Sequence, residues 1–171
     1  MQKKVQIISD GSLDLSQELT KEKDIEVVPF YVSFDSETYQ KEMVEVGVRE
    51  FYQEMVDHPT VFPKTSMPSV HDYYEVFEKH AKEKMPVICI CITRKFSGSL
   101  QSATTAKDMI LEEYPDAQIT VIDSTVNTVL QGLYVLEACR LRDMGLEYQQ
   151  IVDALLPIRE TGRIFFHDRK Y

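Results

Sequence analysis

The chain has 171 residues, 43% hydrophobic and 27% charged, which is the balance of one globular domain and not of a disordered chain. Its formal net charge of −9 argues against a nucleic-acid partner, which needs a basic face, and against simple electrostatic docking on an anionic membrane. The longest apolar runs, such as Val87–Ile92, are too short to cross a bilayer, and the Met-Gln-Lys-Lys-Val start lacks an apolar signal core, so a cytoplasmic protein with no transmembrane segment is expected.

The first strand is expected over Val5–Ser9. A helix over Leu15–Lys23 follows, with Asp14 as its N-cap. Ile25–Phe34 is a second extended run, in which Pro29 marks an edge strand or a bend. Asp35–Gly47 is polar and irregular, with a short hairpin-like return. Val48–Asp57 is helical, with Val48, Phe51, Tyr52 and Met55 on one face. His58–Ser69 reads as a Pro-rich connection. Val70–Lys84 is helical, with Val70, Tyr73, Tyr74, Phe77 and Ala81 at helical spacing, and Pro86 follows it.

Val87–Thr93 is the clearest buried strand. It carries Cys89 and Cys91, which share a face at i and i+2. No nearby ligand completes a zinc set, so the pair reads as small apolar side chains and no metal is expected. Cys139 makes the cysteine count odd, which suits reduced thiols. Gly98–Glu113 is a helix, Gln118–Asp123 a strand, and Val126–Met144 a long helix ended by Gly145. Glu147–Glu160 is another helix, bent at Pro157, and Gly162–His167 a last strand. The alternation predicts an α/β fold with a mostly parallel sheet flanked by helices.

The chemistry lies in the hydroxyl-rich loops. Ser9-Asp10-Gly11-Ser12 follows the first strand. Pro63-Lys64-Thr65-Ser66-Met67-Pro68-Ser69 precedes the Val70 helix, and Arg94-Lys95-Phe96-Ser97-Gly98-Ser99 precedes the Gly98 helix. Ser124-Thr125 follows the strand ending at Asp123. In a parallel sheet, strand-to-helix loops share the carboxyl edge, where ligands bind. Free N–H groups at a helix start suit an anion, glycine permits close approach, and hydroxyls donate without titrating. For Ser12, Ser124 and Thr125, helix capping outweighs ligand contact. For Asp10 and Asp123, turn hydrogen bonds outweigh catalysis. The Thr65 and Ser97 boxes are denser in hydroxyls than capping requires, and capping and ligand contact stand even there.

The same residues carry a resemblance. Ile-Ile-Ser-Asp-Gly-Ser-Leu-Asp-Leu near the start, Ile25-Glu-Val-Val-Pro-Phe-Tyr-Val, Pro63-Lys-Thr-Ser-Met-Pro-Ser, Ser97-Gly-Ser-Leu-Gln-Ser-Ala, Tyr114-Pro-Asp-Ala and Val121-Ile-Asp-Ser are similar, in order, to boxes of the amino-terminal domain of DegV-family proteins. Gly11 departs from that family's usual Ser, Met67 from its usual Gln, and Ser99-Leu100 from its Thr-Tyr. The resemblance implies a fatty acid held in a tunnel. Its carboxylate would be bonded by Thr65 and Ser97, with Ser66 and Gly98 as lesser contacts. It implies no catalytic residues and no cofactor, presentation of the acid to a separate fatty-acid kinase, and a place in phospholipid metabolism. It also implies a second, carboxyl-terminal domain that closes the tunnel and is absent from this chain. A half-tunnel is therefore expected to bind lipid weakly and to favour self-association.

The competing reading is a phosphotransfer enzyme or kinase subunit related to dihydroxyacetone kinases. It wants a nucleophilic His or metal-binding carboxylates beside the hydroxyl loops, and only Asp10 and Asp123 are available. His58, His71, His80 and His167 are scattered and read as surface or packing residues. There is no Walker A loop and no Gly-x-Gly-x-x-Gly.

Overall fold

The computed structural model describes residues 5–163. In chain order these form β1 (Gln6–Asp10), a 3-10 turn (Gly11–Leu13), α1 (Gln17–Glu22), β2 (Ile25–Val28), β3 (Tyr31–Ser33), β4 (Gln40–Lys41) and α2 (Val48–Asp57). Then come β5 (Lys64–Ser66), α3 (Val70–Lys82), β6 (Val87–Cys91), α4 (Ser99–Glu113), β7 (Ile119–Asp123), α5 (Thr128–Asp143) and α6 (Tyr148–Ile158). The last strand expected from the sequence, Gly162–His167, extends outside the described residues.

The expected parallel sheet is present, with spatial order β2-β1-β6-β7. Helices cover both of its faces, so β1 and β6 are buried along their whole length. Alternation decides which side each residue serves. Ile7, Ile88, Ile90 and Ile122 face α5 and α6, against Tyr134, Val135, Ala138, Ile151 and Leu155. Ile8, Val87, Cys89 and Cys91 face α3 and α4, against Tyr73, Phe77, Ala103, Ala106 and Ile110. The two cysteines thus fill core space, with their sulfurs 3.8 Å apart. Tyr73 and Phe77 are fully buried, whereas Tyr74 lies at the rim and donates to Glu113 (2.8 Å).

Three features depart from the sequence reading, and the bend expected at Pro29 is present. The sheet is not single: β4-β3-β5 forms a separate antiparallel sheet. As expected, the extended run 25–34 bends at Pro29 and Phe30, sending its first half to the edge of the large sheet and its second to the small one. The segment read as a bare connection, 58–69, contains β5, whose Lys64, Thr65 and Ser66 are all exposed and so lack the apolar alternation that marks a strand. Asp14 does not cap α1. It ends the 3-10 turn at φ 53, and Ser16 takes the cap, accepting from the Leu19 N–H at 3.2 Å.

Helix α2 has the expected bounds, but none of its residues is buried. Phe51 packs on Phe34 with ring centroids 5.2 Å apart, while Val48 and Tyr52 stand exposed. Gly145 closes α5 at φ 88, as its position required. Pro157 sits in the last turn of α6. His58 and His71 are exposed, each beside a glutamate one turn away on its own helix. His80 is buried and bonds Glu26 at 2.6 Å, with Lys79 on the other Glu26 oxygen at 3.1 Å.

Two outcomes follow from this packing. Gly132 sits where α5 crosses the 3-10 turn, and a Cβ there would press on the Leu13 carbonyl oxygen and lie 2.8 Å from Leu15 Cδ2. Helix propensity alone favours Gly132→Ala by about 1 kcal/mol. Contact with unyielding backbone reverses the sign, and a net loss of about 2 kcal/mol or more is expected in urea unfolding. At Glu26, burial opposes the charged form, but the bonds from His80 and Lys79 outweigh it and lower the pKa. A lowered acid contributes stability above its unfolded pKa and loses it as pH falls through the folded one. Unfolding titrations of the wild type should therefore weaken below the ordinary glutamate range, and Glu26→Gln should flatten that limb while costing about 1–3 kcal/mol at neutral pH.

Candidate functional site

Strands β1, β6 and β7 run parallel, so Asp10, Cys91 and Asp123 end at one edge of the sheet. The loop between β6 and α4 is built there on Thr93, whose carbonyl accepts from Phe96 N–H (3.0 Å) and Ser97 N–H (3.4 Å). Thr93 N–H in turn donates to the Val126 carbonyl (3.0 Å). Gly98 is the N-cap of α4, and Ser99 N–H donates to Ser97 Oγ (3.2 Å). Because Ser97 Oγ accepts from its own loop, its proton points elsewhere, and no acceptor for it is found among the described residues.

The other box is framed differently. Thr65 pairs with Val32 in the small antiparallel sheet and Ser66 with Tyr31. Thr65 and Ser66 are exposed, and by alternation they face opposite sides of β5. Beyond Met67 and Pro68, Ser69 and Asp72 form a reciprocal capping box at the start of α3. Asp72 also accepts from the Tyr31 hydroxyl (2.8 Å) and lies 3.6 Å from Lys41 Nζ. One carboxylate therefore ties the start of α3 to β3 and β4. Burial opposes its charged form, but the bonds from Ser69 and Tyr31 hold its pKa below the usual value.

The two boxes meet at Gly98. A Cβ on that residue would lie 2.6 Å from Met67 Sδ, so the Met67 side chain rests on the Gly98 backbone. The structure thus brings the box of Thr65 and Ser66 against the box of Ser97 and Gly98 through Met67. It also adds apolar surface there, because Met67 is 44% exposed and Phe96 58% exposed.

Ser12, Ser124 and Thr125 do not cap helices. Ser12 N–H donates to Asp10, which does the capping. Ser124 Oγ donates to the Val126 carbonyl (2.9 Å), Thr125 Oγ1 donates to the Arg159 carbonyl (2.9 Å), and Asn127 occupies the α5 N-cap. The Ser124 and Thr125 hydroxyls are thus taken up by backbone carbonyls of their own turn and of Arg159 just beyond α6. Asp123 behaves as expected, accepting from Thr125 N–H (2.8 Å) and pairing with Arg94 (3.4 Å). Arg94 is therefore engaged by Asp123 even though it is exposed.

Asp10 does more than cap a turn. It is fully buried. Its Oδ2 accepts from Ile92 N–H (2.9 Å) and the Ser99 hydroxyl (2.8 Å), and its Oδ1 accepts from Gln131 Nε2 (2.8 Å) and Ser12 N–H (3.3 Å). Burial pushes its pKa up, and these four donors pull against that. Since the Ser99 proton goes to Asp10, the Tyr73 hydroxyl, 2.6 Å away, must donate to Ser99. Burial lifts the Tyr73 pKa well above its ordinary value. Enclosed by donors, Asp10 has no free lone pair with which to take a proton from a substrate. What this edge offers a ligand is neutral hydroxyl and backbone donors, which suit an anion. The sequence cue to the buried set was an acid closing an otherwise apolar strand, Ile-Ile-Ser-Asp. Three of its four partners lie 82 to 121 residues away, and nothing local linked them to it.

A two-faced parallel sheet with paired hydroxyl boxes at its carboxyl edge defines an α/β protein whose candidate site lies where open sheets bind ligands. The chain belongs to the DegV family: the family model described as "Uncharacterised protein, DegV family" matches residues 4–168. It is similar to a DegV domain-containing protein of Clostridium acetobutylicum, at 33% identity over 153 residues, covering 90% of this chain and 53% of that protein. Among solved structures, a fatty acid (stearic acid)-binding protein from Eubacterium ventriosum aligns with a TM-score of 0.85 and 46% identity, over 88% of this chain and 52% of that one. A DegV family protein from Thermus thermophilus, described for its fatty acid binding, aligns with a TM-score of 0.76 and 29% identity, over 92% and 54%. The chain spans about half the length of the curated relatives it matches. No helix among the described residues is long and apolar enough to cross a membrane.

The Met67 contact has a direct test. Gly98 has an ordinary φ of −78, and the atom a Cβ would meet is the flexible end of an exposed side chain. Gly98→Ala should change unfolding free energy by less than about 1 kcal/mol. It should nonetheless shift the Met67 methyl resonance in NMR, whereas an unmoved methyl signal would mean that the boxes do not touch.

Proposed function

We propose that this chain is the headgroup-binding half of a fatty-acid-binding protein, with the carboxylate accepting hydrogen bonds from Thr65 Oγ1 and Ser97 Oγ. Ser66 and the Gly98 backbone are the neighbouring lesser contacts. The observation that carries the reading is the closure of the two boxes on each other through Met67 and Gly98. Each box brings a hydroxyl whose proton has no acceptor among the described residues. Similarity to a stearic acid-binding protein supports the choice of anion. The exposed Met67 and Phe96 support it too, since a fatty acid needs apolar surface beside its polar contacts.

The protein acts as a carrier in this reading, not as an enzyme. Hydroxyl donors hold a carboxylate without activating it, and Asp10 is closed off by its four donors. The acid is presented to a separate fatty-acid kinase, which serves phospholipid metabolism. Burial of the tail is worth about 0.8 kcal/mol per methylene, so tight binding needs an enclosing wall as well as a headgroup site. A second domain, in a protein of the relatives' length, supplies that wall. Without it the apolar surface at the site stays open, lipid binds weakly, and self-association is favoured.

Organic extraction and mass spectrometry of the purified full-length protein should recover a fatty acid near one equivalent. Its absence, together with ATP-dependent phosphorylation of a small polyol, would overturn the carrier reading. Hydrogen bonds to a charged group are worth about 1.5–3 kcal/mol each. Thr65→Val and Ser97→Ala should therefore each weaken stearate binding roughly tenfold or more in calorimetric titration, with unfolding midpoints little changed. Unchanged affinity in the double variant would remove both residues from the site.

A further inference from the structure

We propose that Asp10 and Ser99 are positioning residues for the Ser97 hydroxyl, an inference that rests on the carboxylate-binding reading above. The loop that carries Ser97 and Gly98 leaves β6 at Ile92 and enters α4 at Ser99. Both of its ends are gripped by one atom: Asp10 Oδ2 accepts from the Ile92 N–H at 2.9 Å and from the Ser99 hydroxyl at 2.8 Å. Ser99 then passes the constraint on, because its own N–H donates to Ser97 Oγ at 3.2 Å. That bond occupies a lone pair of Ser97 and leaves its proton to point out of the loop.

The clip is itself held. Gln131 Nε2 binds Asp10 Oδ1 at 2.8 Å and Ser9 Oγ at 3.1 Å, and the Tyr73 hydroxyl bonds Ser99 Oγ at 2.6 Å. Asp10, Ser99 and Gln131 are all fully buried. Asp10 cannot touch a ligand from there, and a carboxylate would repel an anion if it could. Its influence passes through the loop. A hydroxyl restricted to one orientation donates to an anion without first losing rotational freedom.

The test separates positioning from general stability. Stearate and methyl stearate would be titrated into the full-length wild type, Ser97→Ala, Ser99→Ala and the Ser97→Ala/Ser99→Ala double variant. Ser99→Ala is expected to weaken stearate roughly tenfold while leaving methyl stearate within about twofold, because only the charged headgroup depends on the aimed hydroxyl. In the Ser97→Ala background the second change should cost nothing further. Multiplying losses, or an unchanged stearate affinity in Ser99→Ala, would overturn the positioning role while leaving Ser97 in the site. A Ser97→Ala variant that binds stearate like the wild type would sink the carboxylate reading and this inference with it. Hydrogen exchange supplies a readout that needs no ligand. Asp10→Asn and Ser99→Ala should each speed amide exchange across residues 93–98 at least tenfold relative to α4. Equal protection in Ser99→Ala, the milder variant, would remove the clip even if Asp10→Asn failed to fold.

Discussion

Burying a carboxylate at the end of a central strand is expensive unless donors surround it. Asp10 meets that demand with four donors drawn from four places: the turn that follows β1, the loop after β6, the first residue of α4 and the second turn of α5. Each of those pieces must arrive in register for the group to be satisfied. The sheet edge is therefore fixed by polar geometry, while its interior is fixed by apolar packing. The division suits a site. Apolar contacts hold the layers together without direction, whereas a hydrogen-bonded cluster fixes the orientation of a short loop.

The molecule has two tiers of burial. The parallel sheet, with α3 to α6 on its faces, contains almost all of the buried apolar side chains. The small sheet and α2 carry little of the core, and the Tyr31–Asp72 bond links the small sheet to α3. Thr65 stands on the lightly held tier and Ser97 on the densely held one. The candidate site spans the seam between them, with Met67 lying across it.

Much of this was legible in the sequence because periodicity survives translation into structure. The apolar runs of β1, β6 and β7 and the helical stripes of α3 and α5 each have many residues repeating one pattern, so a single exception does not hide them. β5 was not legible, since three polar residues between prolines look like a loop until a partner strand is known. The start of α1 went to Ser16 because the 3-10 turn extends to Leu13 and leaves Asp14 outside the helix, and both residues are of capping type. At the site, the hydroxyl density of the Thr65 and Ser97 boxes was visible. The resemblance singled out one hydroxyl in each. What no local pattern contained was the role of Ser99 and Gln131, because their partner is a carboxylate at the far end of the chain. Ser124 and Thr125 looked like helix caps, yet their hydroxyls bond backbone carbonyls instead.

The distance in sequence between Asp10 and its donors also orders events in time. Ile92 is 82 residues downstream, Ser99 is 89, and Gln131 is 121. During synthesis, Asp10 emerges first and remains hydrated until those residues have left the ribosome, several seconds later at roughly 5–20 residues per second. Until then burying β1 would strand an unpaired charge. The central strand of the sheet is thus among the first segments made and among the last that can be committed. Its closing contact forms when the loop after β6, the start of α4 and the first turns of α5 are all within reach.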